Sequence, residues 1–333
     1  MTRLVQIKKG IVRRVALVEE PHLRVLDGCN SVFELAQSAI KSRTKLSEVV
    51  RKRLTSERLD YDLVYNGCSE WQLLPPIDHP DEPSRCMVSG TGLTHLGSAR
   101  DRHSMHAADK DDMTDSMKMF HWGKDGGCPA PGQIGTPPEW FFKGNGTMLR
   151  GHGQPLEIPG YAEDGGEEAE IAGIYVIAPD GSPYRVGMAG GNEFSDHRFE
   201  KKNYLNLAGS KLRTCALGPE IVVDPNFSSL AVKVNIDRGG TLVWSGTFRT
   251  GETEMCHSLR NLEHHHFKFE AHRRPCDVHV HFFGTDCLSF GAGIALQDAD
   301  VMEVAFEGFG RPLRNPVRVA KSTSSLIEVN SLG

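Results

Sequence analysis

The run GGEEAEIAGIYVI, residues 165–177, begins with acids and ends as the apolar, β-branched text of a buried strand. Residues two apart on a strand share a face, so Glu168 and Glu170 project side by side, with Ile171 and Tyr175 on the opposite face. Carboxylates so placed repel unless a cation stands between them. Hard dications such as magnesium or calcium gather carboxylate oxygens in this way. A solvated strand edge is the plain alternative, since most acids are surface groups. The metal reading needs a third acid and a nearby cation.

Both are present downstream. Asp180-Gly181 is a strong hairpin turn. Beyond it, in GGNEFSDHRFEKKNYL, stands Asp196, which one return of the hairpin can bring back beside the pair. Lys211, in LAGSKLRTCALGPEIV, is flanked by small residues and a turn-rich stretch that suits a cavity wall. The surrounding text, from about residue 139 onward, is a series of short β runs broken by Gly, Asp and Pro. There is no internal repeat, no alternation of strands with long helices and no GxGxxG after a strand, which disfavours Rossmann and TIM-barrel folds.

The chain before this region reads differently. IVRRVALVEE (11–20) is strand-like, and Asp27-Gly28 is a turn. Ser31-Val32-Phe33-Glu34 has the form of a capping box, followed by a helical stripe of Leu35, Ala36, Ala39 and Ile40. A second helix is expected from near Thr44, with Leu46, Val49, Val50 and Leu54 on one face. LLPPIDHPDEP (73–83) reads as a linker. The expected organisation is a small α+β domain over 1–85 and a mostly β catalytic domain over 86–333. Residues 90–135 are polar and irregular, as in a lid or binding loop, with a helical piece at MTDSMKMFHWG.

A chain of 333 residues with 39% hydrophobic content can bury a substantial core. Its formal charge of −5, with no basic stretch, argues against a nucleic-acid partner. None of the eight cysteines is spaced as CxxC, which suits free thiols in a reducing cytosol. No apolar run is long enough to cross a bilayer and the N-terminal MTRLVQIKKG lacks the apolar core of a signal peptide, so a soluble cytoplasmic protein is expected.

The order Glu168-x-Glu170, Asp196, GSK at Lys211 leading to GPEIV, then RPCDVHVHFFGT resembles the fumarylacetoacetate hydrolase (FAH) superfamily over roughly residues 87–315. VSGTGLTHLGSA, GNEFSDH, NLEHHHFK and FGRPLRNP resemble its sugar-acid catabolism branch. The resemblance implies an α+β, mostly β fold: a mixed β-roll catalytic domain with a small α+β N-terminal domain. It implies Glu168, Glu170 and Asp196 as ligands of Mg2+, with Mn2+ or Ca2+ as alternatives. Lys211 matches the active-site lysine, which neutralises an enolate, or moves a proton if burial and the neighbouring dication lower its pKa. Thr285 in FFGT and Lys143 in FFKG match substrate-binding positions.

Two departures stand out. Four positions after Asp196, where the pattern has arginine, this chain has Glu200, with Arg198 nearby as the replacement grip on substrate. The lid run is replaced by GLTHLGSARDRHSMH, which offers His103 and His106 as acid or base and His95 as a substrate contact.

The implied activity is dehydration of a 2-keto-3-deoxy sugar acid, such as 2-keto-3-deoxy-D-arabinonate or a related pentonate, to 2-oxoglutarate semialdehyde through a magnesium-stabilised enolate. Two alternatives remain: C–C hydrolysis of a 2,4-diketo-3-deoxy acid releasing pyruvate, and a catalytically inactive sugar-acid binder. The implied assembly is a homodimer. A separate reading places zinc or iron on His264–His266, His279 and His281, since residues 279 and 281 share a strand face; packed core histidines are the plain alternative.

Overall fold

A computed structural model describes residues 1–97, 114–321 and 326–333. The lid candidates His103 and His106 lie outside the described residues.

The first segment forms strands β1 (Thr2–Lys9), β2 (Val12–Glu19), β3 (His22–Leu26), β4 (Leu54–Asp60) and β5 (Gln72–Leu73), with helices α1 (Val32–Ser42), α2 (Leu46–Lys52) and α3 (Tyr61–Tyr65). The capping box is realised at α1. Glu34 N donates to Ser31 Oγ (3.1 Å), and the Glu34 carboxylate accepts from Asn30 N (2.8 Å), one residue before the cap. The expected linker enters β5 at Leu73 and ends in a 3-10 turn at Pro83–Arg85.

The remaining strands are β6 (Cys86–Gly90), β7 (Phe141–Asn145), β8 (Leu149–Arg150), β9 (Leu156–Ile158), β10 (Ala169–Ile177), β11 (Pro183–Asn192), β12 (Cys215–Leu217), β13 (Ile221–Val223), β14 (Leu230–Arg238), β15 (Thr241–Thr250), β16 (Val278–Phe282), β17 (Val301–Phe306) and β18 (Leu313–Val319). Helices α4 (Asp115–Gly126), α5 (His197–Lys202), α6 (Leu207–Lys211) and α7 (Leu259–Phe267) lie between them. Among the described residues, one large mixed sheet runs β4-β3-β2-β1-β13-β11-β10-β16-β6-β7, with β5, β8 and β12 attached. A smaller sheet runs β15-β14-β17-β18-β9. The fold is mostly β, α+β in class. The N-terminal strands join the rest through β1, which pairs antiparallel with β13.

Strand β10 is the centre of this arrangement. It pairs with β11 on one side and β16 on the other, and every residue is buried. One face, with Ala172, Ile174 and Val176, packs into a core shared with Leu35 of α1 and Val50 of α2. The other, with Ala169 and Ile171, packs against Val232 and Val304 of the smaller sheet. A strand covered on both faces cannot alternate apolar with polar, which accounts for the continuous AEIAGIYVI. Each fully buried Ile or Val contributes roughly 1.5–3 kcal/mol.

The eight cysteines are free thiols. No described helix is long and apolar enough to cross a membrane.

Candidate metal centre and cavity

The acids of the opening run sit where β10 begins, at the open end of the β10–β11 hairpin. Ala169 pairs with Asn192, and the next residue, Glu193, donates its N–H to Glu168 O (2.8 Å). Asn192 Oδ1 accepts from Glu168 N (3.1 Å) and ties the two strand ends together. Glu193, fully buried, therefore stands across from Glu168. Glu168, Glu170 and Glu193 each present a carboxylate oxygen, all within 4.8 Å of one another.

This corrects the expectation for Asp196. Three residues past Glu193 the chain has turned into α5, and Asp196 is its N-cap. Its carboxylate accepts from Phe199 N (3.0 Å), Glu163 N (3.0 Å) and Arg213 Nη2 (3.0 Å). The turn between them is made by Phe194, fully buried at φ 44°, a left-handed conformation uncommon for a bulky residue.

Two lysines meet the acids. Lys211 Nζ lies 2.6 Å from Glu168 Oε1 and 2.6 Å from Glu193 Oε2, and donates to Ser195 Oγ (3.0 Å). Lys143 Nζ lies 2.6 Å from Glu193 Oε1 and also donates to Phe194 O. Burial opposes the charge on Lys211, but Glu168 and Glu193 outweigh it and hold the ammonium well above the usual lysine range. It is thus a fixed cation, rather than the lowered base that burial would make. Burial also opposes ionisation of Glu168, but Lys211 and then His197 hold its carboxyl well below the usual range; His197 Nε2 lies 3.1 Å from Glu168 Oε1. Glu170 is pushed well above that range by burial first and then by the neighbouring Glu168 and Glu193 charges. A second cation beside Glu170 would relieve that repulsion. Three buried hard oxygen donors with residual negative charge fit a hard dication such as magnesium.

Glu168 and Glu170 line a cavity of about 440 Å³, with Lys211, His197, Glu139, Phe141, Thr285 and Phe290 also in its wall; Glu193 lies buried behind them. Thr285 lines the cavity, and its buried Oγ1 has no protein partner among the described residues. Glu139 is a lining carboxylate that the sequence reading missed. It is 5% exposed and accepts the Tyr204 hydroxyl. Gly92 stands opposite it, and a Cβ there would displace the carboxylate.

Three other candidates are elsewhere. Lys143 is fully buried behind Glu193 and does not line the cavity. Arg198 has a side chain 57% exposed and reaches Asp164 at 3.8 Å. His95 is buried between Thr94 and Thr250, its Nε2 2.7 Å from Thr250 Oγ1, and burial pushes its imidazole down to about 4.

The histidines of β16 do share a face, but their partners are not those of a metal site. His279 Nδ1 lies 2.9 Å from His266 Nε2, and His281 Nδ1 lies 2.8 Å from Ser89 Oγ. Among the described residues, only the three glutamates bring three ligand atoms together.

No family model and no curated protein matches the chain. Solved structures do, and they show that the chain shares its fold with dehydratase and isomerase structures at low sequence identity. A 2-keto-3-deoxyarabinonate dehydratase in a hexagonal crystal form superposes with a TM-score of 0.71 at 20% identity, covering 96% of this chain and 99% of that one. A 2-keto-3-deoxy-D-arabinonate dehydratase complexed with magnesium and 2,5-dioxopentanoate gives 0.70 at 20% identity over the same shares. The 5-carboxymethyl-2-hydroxymuconate delta-isomerase from Mycobacterium smegmatis gives 0.59 at 16% identity, covering 96% of this chain and 100% of that one.

Proposed function

We propose that this chain is a metal-dependent hydro-lyase that removes water from a 2-keto-3-deoxy sugar acid, a pentonate in the first instance, to give 2-oxoglutarate semialdehyde. The observation that carries the reading is the buried Glu168–Glu170–Glu193 cluster beside Lys211, with Glu168, Glu170 and Lys211 facing a cavity. The likeness of fold to a dehydratase complexed with magnesium and 2,5-dioxopentanoate supports it.

Glu168, Glu170 and Glu193 would hold a hard dication, Mg2+ first. When bound, such an ion supplies Lewis-acid polarisation of the carboxylate and keto oxygen of a 2-keto acid. Lys211 holds a fixed positive charge beside the acids, which favours negative charge developing on the keto oxygen as the C3 proton leaves. Thr285 offers a hydroxyl to the substrate carboxylate. Glu139 is a buried cavity carboxylate outside the cluster. As a base it takes the C3 proton; as the resulting acid it returns that proton to the departing C4 hydroxyl, which leaves as water. The alkene between C3 and C4 then tautomerises to the C5 aldehyde. Tyr204, which donates to Glu139, orients that carboxylate.

Proton NMR of products tests this reading. The protein with magnesium is given D- and L-2-keto-3-deoxypentonates. Appearance of 2-oxoglutarate semialdehyde from one isomer supports the dehydratase. No consumption of either, with pyruvate released from a 2,4-diketo-3-deoxy acid, replaces it with C–C hydrolysis. Binding without turnover of any of them replaces it with a sugar-acid binder.

A further inference from the structure

The strand that carries the metal acids also holds one wall of the cavity. Glu167 precedes Glu168 and is fully buried. Its Oε1 accepts from Ser289 N (2.7 Å) and its Oε2 accepts from Ser289 Oγ (2.7 Å). Ser289, 1% exposed, opens the 3-10 turn Ser289–Ala292, and the next residue, Phe290, lines the cavity. The other end of this wall is tied to the same strand, because Glu170 Oε2 accepts from Gly284 N (2.7 Å). Gly284 has φ 97°, a left-handed conformation that suits glycine.

Phe290 reaches the centre through a second contact. Its ring lies 5.2 Å from the ring of His197, whose Nε2 meets Glu168. A buried carboxylate usually answers a charge or a ligand. Glu167 lies outside the three-acid cluster, and its two carboxylate oxygens both bind one serine.

We infer that Glu167 is a positioning residue for substrate specificity: through Ser289 it fixes Phe290 as the wall that limits how long a 2-keto acid the cavity accepts. This rests on the proposed 2-keto acid site and names the part of the chain that selects its substrate. A carboxylate suits the task because Ser289 presents two donors, one from the backbone and one from the hydroxyl. Glutamine can keep both contacts, accepting from the Ser289 amide and donating to its hydroxyl, whereas alanine keeps neither.

Two measurements test this on the full chain. The first is binding of straight-chain 2-oxo acids, from pyruvate to 2-oxohexanoate, by calorimetry with saturating magnesium. The unmodified protein should lose affinity sharply beyond one chain length. Phe290→Ala and Glu167→Ala should each move that limit outward by one or two carbons, with tenfold or more gained for the longer acids. Glu167→Gln should keep the original limit. A Glu167→Ala profile identical to the unmodified one overturns the inference, and so does an unchanged limit in Phe290→Ala, whose half-buried side chain makes the variant the safer one to fold.

The second needs no ligand. Amide hydrogen exchange across residues 284–292 should speed up at least tenfold in Glu167→Ala and stay unchanged in Glu167→Gln. Equal exchange in all three proteins overturns the inference. If the unmodified protein binds no 2-oxo acid while the exchange pattern holds, the failure lies with the proposed 2-keto acid site and not with the hold of Glu167 on this wall.

Discussion

Glu193 and Glu168 face each other across the open end of the β10–β11 hairpin, joined by a 2.8 Å backbone hydrogen bond and by the single ammonium of Lys211, 2.6 Å from each carboxylate. Burial opposes charge on both acids, and Lys211 answers it for both, with His197 adding to it at Glu168 and Lys143 at Glu193.

Lys211→Met should therefore cost more stability than the loss of a surface lysine. Breaking a buried ion pair by removing one partner typically costs about 3–5 kcal/mol. Urea denaturation at neutral pH should show that loss, and added magnesium should recover much of it by replacing the missing positive charge. A variant as stable as the parent without metal would contradict the pairing.

Glu139→Gln should lower kcat by about 10²–10⁴-fold, the usual contribution of a positioned acid or base, while substrate affinity in the presence of magnesium changes little. Calorimetry on the variant, set beside turnover, separates the two. An equal loss of affinity would assign Glu139 to binding.

The buried histidines should make the fold acid-labile. Burial, with neighbouring histidines adding to it, pushes His279 and His281 down to about 3; burial pushes His257 down to about 4. An unfolded histidine titrates near 6.5, so between that value and the folded one the unfolded chain binds more protons. The contribution is full above about pH 6.5 and is lost as pH falls toward about 4 for His257 and about 3 for His279 and His281. One such histidine costs roughly 2–3 kcal/mol by pH 4.5. Buried glutamates such as Glu167 and Glu220, raised by burial, act in the opposite sense, so the histidine part is read by difference. His279→Gln should flatten the fall of Tm between pH 6.5 and 4.5; an unchanged slope would show that His279 is not a neutral core group.

Much of this architecture was legible locally. The Glu168-x-Glu170 spacing, the Asp180-Gly181 turn, the Ser31 capping box and the helix at Asp115–Gly126 each follow from a few neighbouring residues. The third acid was not legible by counting from the turn. The pairs beside it, such as Ile177 with Pro183, would set Glu168 against Asn192, and the bulge between Ile174 and Tyr175 shifts the register so that residue 193 stands there instead. The motif reading passed over Glu193 for Asp196, a residue whose place is fixed by an N-cap and Arg213. With the acid at 193, the fourth position onward is His197, the residue that contacts Glu168.

Other features had no local signal. Glu139 reaches the cavity because β7 pairs with β6, and Glu167 reaches Ser289 across 122 positions. Such contacts are set by sheet order, which no short window of sequence encodes. The histidines of β16 were read on the correct face, but Ser89, brought alongside by the pairing of β6 with β16, is the partner of His281.

Mn2+ titration of the unmodified protein, Glu193→Gln and Asp196→Asn, followed by electron paramagnetic resonance, addresses the metal centre most directly. Glu193→Gln should weaken binding at least as much as loss of a supporting ligand contact does, on the order of 10–100-fold, while Asp196→Asn stays within a few-fold of the parent. Loss of binding in Asp196→Asn with Glu193→Gln unaffected would contradict the three-glutamate centre.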